Sequence, residues 1–145
     1  MKKRIILAPI LTILGLPTSS VADSRQLVEF PEMMRDHMLE NMRDHLLALT
    51  KIQQHLALEE YEKAATVAEN RLGMSSLDGH GASHMARFMP VAMQQIGTQM
   101  HKAASRFAII VQEGGLEGST PKIAEGLAGV MQQFVACHSS YRVHP

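Results

Sequence analysis

Apolar side chains recur along this chain at alternating steps of four and three, and that repeat limits its fold more than any other feature. Met38, Met42, His45, Leu49, Ile52 and Leu56 follow the spacing 4-3-4-3-4. Ile123, Leu127, Val130, Phe134, Cys137 and Tyr141 follow the same spacing. Between them Met89, Met93, Ile96, Met100, Phe107 and Ile110 keep the register, with Ala103 inside it. A stripe of this period lies along one face of an α-helix and needs a partner to cover it.

The stripes predict four helices. The first runs from about Pro31 to Leu58, with Pro31 suited to a first turn and Glu32 to the positive end of the helix dipole. The second runs from about Leu58 to Leu72, with Tyr61, Ala64, Ala65, Ala68 and Leu72 on one side and Gly73 placed to end it. The third starts near Ser83 or Pro90 and reaches about Gln112. The segment EGGLEGSTP then reads as a break. The fourth starts with Thr120 as N-cap and Pro121 at the first helical position. MSSLDGHGASHMARF, between the second and third, reads as a loop. No stretch alternates with period two, so no sheet is expected. The expected fold is all-α, an antiparallel four-helix bundle in one domain over residues 23–145.

Residues 1–22 read as a secretory signal peptide. Lys2, Lys3 and Arg4 precede an apolar stretch, Ile5 to Leu16, and Ser20-Val21-Ala22 offers small residues for cleavage. The stretch is short for a membrane span, although an uncleaved anchor is the other reading. The mature chain is then soluble, exported and periplasmic. Removing three basic residues leaves 11 basic against 14 acidic, a net of −3. That balance argues against a nucleic-acid partner or a polybasic membrane-surface protein.

The mature chain has one cysteine, so no internal disulfide can form, and an unpaired thiol in an oxidising compartment asks for a role. It also holds ten Met and eight His but no Trp. Thioether and imidazole fill cores and surfaces, but both also ligate soft metals and haem iron. His80 and His84, four apart, with Met85 and Met89 beyond, form a candidate copper or soft-metal site, though Gly79 and Gly81 weaken a helix there. His37 and His45 sit on the first helix and His101 follows Met100 on the third. No H-E-x-x-H, G-x-S-x-G or nucleotide-binding Gly loop is present, and adjacent Cys137 and His138 cannot face each other on a helix as nucleophile and base. No enzyme activity is expected.

The C-terminal box reads FVACHSSYR, with Cys137 and His138 adjacent, Phe134 one turn before, and Tyr141 and Arg142 after. This box, at the end of a four-helix pattern, resembles that of the cytochrome c-prime family and its low-spin relatives, which close their fourth helix with C-x-x-C-H-x-x-Y/F-R. The resemblance runs from about Pro31 to His144 and is specific at the box. Phe134 stands where the first cysteine is expected. The resemblance implies a c-type haem held by one thioether at Cys137, with His138 as proximal iron ligand. Phe134 would lie against the porphyrin, and Tyr141 and Arg142 would flank it, Arg142 facing a propionate. A distal ligand would come from the first helix, with Met38 the first choice and Met34 the second. A His/Met pair favours electron transfer over gas binding. Three readings stay open: a haem protein serving an unidentified redox partner, a haem-less copper bundle, and an interaction module with Cys137 free or bridging a homodimer.

Overall fold

The computed structural model describes residues 23–144. The expected signal peptide lies outside the described residues. The chain forms α1 (Glu32–Ala57), α2 (Tyr61–Leu72), α3 (Ala82–Ala86), α4 (Val91–Glu117) and α5 (Thr120–Ser140). A 3₁₀ turn spans Met74–Ser76. Two-residue strands β1 (Gln26–Leu27) and β2 (Tyr141–Arg142) flank the helices. The molecule is an all-α bundle, as the stripes predict.

Local chemistry sets the turns. After α1, Glu59 takes a left-handed φ of 56° and Glu60 bonds both His55 Nδ1 and Lys63 Nζ at 2.6 Å. The chain reverses within three residues into α2, so α1 and α2 run antiparallel. At the same end of the bundle Gly118, with φ +68°, reverses α4 into α5. Ser119 takes the cap position and Thr120 is the first helical residue, so the helix starts one position earlier than expected.

The glycines of EGGLEGSTP do not break the helix where expected. α4 continues through Gly114 and Gly115 to Glu117. A Cβ on Gly115 would lie 2.5 Å from Tyr61 Cγ, and one on Gly114 2.9 Å from Ile123 Cγ1. These residues admit neighbouring helices rather than ending their own. Gly115→Ala is therefore expected to destabilise the protein by about 1–3 kcal/mol through overpacking. Chemical denaturation would show it, and an unchanged midpoint would contradict the close approach.

Two cores result. Ala64, Ala65 and Ala68 of α2 meet Ala103, Ala104 and Ala108 of α4 in one cluster, with Ile52, Leu72, Phe107, Val111 and Val130 among its most buried side chains. The other cluster is built on Val28, Met38, Met85 and Met93, with Met34, Met42, Met89, Cys137 and Tyr141 packed on it. Helix length explains the division. α2 has 12 residues and α4 has 27, so at 1.5 Å per residue α2 reaches about 18 Å along a helix of about 40 Å. Beyond Leu72 the fourth wall is the loop carrying α3. Long, pliable Met side chains fill an irregular half-bundle better than branched ones.

β1 and β2 pair in parallel, Gln26 with Tyr141 and Leu27 with Arg142, and Val28 N–H donates to the Arg142 carbonyl at 2.8 Å. The expectation of no sheet fails at this pairing, which is too short for side-chain alternation to reveal.

Candidate functional site

The missing half of α2 leaves a partly open cavity of about 500 Å³ at the Met-rich end. α5 gives it Phe134, Cys137 and His138, and β2 adds Tyr141 and Arg142. Cys137 is half-buried and unpaired, and burial pushes its thiol pKa up. His138 is exposed at the rim, where its carbonyl accepts a bond from Arg25 Nη1 at 3.3 Å. Arg142 Nη1 donates to the His144 carbonyl at 2.7 Å, while its Nε is buried without a partner. Asp23 Oδ2 is 3.7 Å from that Nε, beyond hydrogen-bonding distance.

α1 supplies the facing wall through Met38, Met42 and His45. Met38 is 6% exposed and shares the cluster of Cys137. Met34 packs on that cluster but does not line the cavity. α4 adds Met93, Met100 and His101.

The loop is pinned over the cavity. The His80 carbonyl accepts from Asn41 Nδ2 and meets His37 Nε2, both at 3.0 Å. Gly81 then takes φ +62° and α3 begins at Ala82. The left-handed residue interrupts the helix between His80 and His84. His80, Met85 and Met89 line the cavity, whereas His84 is exposed and outside it. The expected four-residue soft-metal set is therefore not assembled.

Instead, His80 meets two histidines that local spacing does not join to it. Ring centroids of His45 and His80 are 4.8 Å apart, His80 and His101 5.7 Å, and His45 and His101 6.1 Å. Phe134 stands edge-on to His45 at 5.8 Å. His45 is only 4% exposed, its Nδ1 has no partner, and its Nε2 is 3.4 Å from His80 Nδ1. Desolvation, then the nearby imidazoles of His80, His101 and His138, pull the His45 pKa down to about 3. Burial also lowers His80 and His101, the latter against bonds to the Leu72 and Gly73 carbonyls that favour its protonated form. The signal for His45 was its place in an apolar stripe. His101 follows Met100, a stripe residue, and gave no comparable cue.

The lining suits a flat, mostly apolar molecule carrying anionic groups. Methionines and Phe134 form the walls, and Arg142, Arg25 and the Asp23 carboxylate that Arg25 pairs at 2.6 Å lie at the mouth beside Tyr141. The buried, unpartnered Arg142 Nε is a donor awaiting an acceptor. A haem fits these terms: apolar faces, carboxylates at an edge, and thiol and imidazole on one wall. Among the described residues, no group of three or more His, Cys, Asp and Glu side chains is placed to hold a metal ion. A second depression, between α4 and α5, is lined by Arg106, Glu113, Lys122, Glu125 and glycines and contains no Cys, His or Met.

Among the described residues, no helix is long and apolar enough to cross a membrane. Comparison of the chain with protein-family models, curated proteins and solved structures finds no match.

Proposed function

We propose that the protein is an exported, periplasmic haem-binding bundle resembling cytochrome c-prime, serving electron transfer or small-ligand binding without catalysis of its own. One observation carries this reading: Cys137, His138, Phe134 and Met38 all line one apolar cavity. When bound, haem supplies a one-electron iron couple.

The chain's own groups divide the remaining tasks. Cys137 anchors the macrocycle at a single vinyl group. His138, exposed at the rim, would offer its imidazole to the iron. Met38 offers a thioether from α1, and a His/Met pair raises the reduction potential. Phe134 would lie against the porphyrin where a second thiol would stand, and the other methionines of the lining would exclude water from the site. Arg142 would face a propionate, and Arg25 would do so by giving up its pairing with Asp23.

The test is expression with cytochrome maturation machinery and ample haem. The purified protein is expected to show a Soret band and one haem iron per chain. Met38→Ala should keep haem but change the spin-state bands, and His138→Ala should lose most of it. Colourless wild-type protein without haem iron would overturn the reading.

A further inference from the structure

We propose that His45, His80 and His101 form a tris-imidazole site for a divalent late transition-metal ion, of the zinc or copper class. None of its three residues belongs to FVACHSSYR, but all three line the cavity that the box also lines, and Phe134 stands against His45.

Geometry carries the inference. The three rings come from α1, the loop before α3, and α4, so tertiary folding alone brings them together. Around one ion, with metal–nitrogen bonds of about 2.0–2.1 Å, three imidazole centroids lie roughly 5 Å apart. The observed separations are 4.8, 5.7 and 6.1 Å. The donor atoms do not yet converge on one point. A shared ion requires the His45 and His80 side chains to turn toward His101.

The imidazoles do not satisfy one another as they stand. The 3.4 Å between His45 Nε2 and His80 Nδ1 is longer than a good hydrogen bond, and His45 Nδ1 has no partner. Burying an imidazole nitrogen with an unmet lone pair or proton is costly, and an ion removes that cost. A His45 rotated onto a metal also exchanges its orphaned atom for a ligand bond.

The surroundings resemble the support that ligating histidines receive. His101 Nδ1–H donates to the Leu72 carbonyl at 2.8 Å, which fixes the tautomer and leaves Nε2 as the lone-pair nitrogen. Ser76 Oγ donates to the Gly73 carbonyl at 2.7 Å and stands 3.3 Å from His101 Nδ1 and 3.4 Å from His80 Nδ1. The bonds of His37 and Asn41 to the His80 carbonyl anchor the loop that presents the third ring. Three neutral nitrogen ligands suit Zn²⁺, which takes tetrahedral imidazole sites, and Cu²⁺, which heads the divalent affinity series. The thioethers of Met42 and Met100 line the same cavity and are available to a softer ion.

The test uses the full chain, treated with chelator and titrated with Co²⁺ and then Zn²⁺, with folding checked by circular dichroism. Wild-type protein is expected to take up one equivalent of Co²⁺ with intense visible bands of low coordination, and Zn²⁺ should displace it. His80→Asn, in the loop, should weaken uptake at least tenfold, as should His45→Gln. His84→Ala, outside the cavity, should leave it unchanged. If His45→Gln does not fold, the His80 variant decides. Absence of Co²⁺ and Zn²⁺ binding to folded wild-type protein would overturn the proposal, as would binding that survives His80→Asn. Haem content, measured separately on His80→Asn, keeps this outcome distinct from the fate of the haem reading.

Discussion

In the pyridine haemochrome of the reduced protein, the alpha band is expected between the positions of protohaem and two-thioether haem, and Phe134→Cys is expected to move it to the latter. Each thioether saturates one vinyl group and shifts the band to shorter wavelength. Residues 134 and 137 lie one turn apart within α5, which is helical from Thr120 to Ser140, so both side chains share a face. Both line the cavity. A thiol at 134 would therefore address the second vinyl. The substitution removes the Phe134 ring from its edge-on contact with His45, at a cost of roughly 2–4 kcal/mol. Loss of stability with a gain of covalent attachment is a combination that packing alone does not give. A wild-type band at the protohaem position would mean that Cys137 forms no thioether. An unshifted band in haem-loaded Phe134→Cys would place residue 134 away from the vinyl groups.

The haem-free and metal-free protein should lose stability steeply in mild acid. His45 has a folded pKa of about 3, against about 6.5 when unfolded, and the His80 and His101 values are also lowered. Below about pH 6.5 the unfolded chain binds protons that the folded chain refuses. The stability contributed by neutral burial is therefore complete above that pH and declines as pH falls towards 3. His45 gives about 1.4 kcal/mol per pH unit over its window, and the more exposed His80 and His101 add less. Urea midpoints between pH 7.5 and pH 5 would measure the slope. His45→Leu keeps an apolar side chain at a stripe position and should flatten it by about one group's worth. Equal slopes in wild type and variant would show that His45 is not the source.

Much of this architecture was legible because it is written locally. The 4-3-4-3-4 stripes of α1 and α5 reflect one face each, and Gly73 marks the end of α2 in the sequence as in the fold. Gly114 and Gly115 misled because the same residue serves two purposes. A glycine can free the backbone, as Gly118 does, or clear space for Tyr61 and Ile123. Only the neighbours decide, and they are distant in sequence. The histidines divide in the same way. Helical spacing joined His80 to His84, but Gly81 turned the backbone between them. The partners of His80, residues 35 positions before it and 21 after, share no local pattern with it. The cavity itself is the difference in length between two helices, a quantity that a stripe-by-stripe reading does not compare.

The β1–β2 pairing sets an order of assembly. Gln26 and Leu27 leave the ribosome early, yet their partners Tyr141 and Arg142 come after all five helices. The pairing beside the cavity therefore forms only once Tyr141 and Arg142 follow the last helix, and packed helices that have brought the two segments together leave little further loop entropy to lose in joining them.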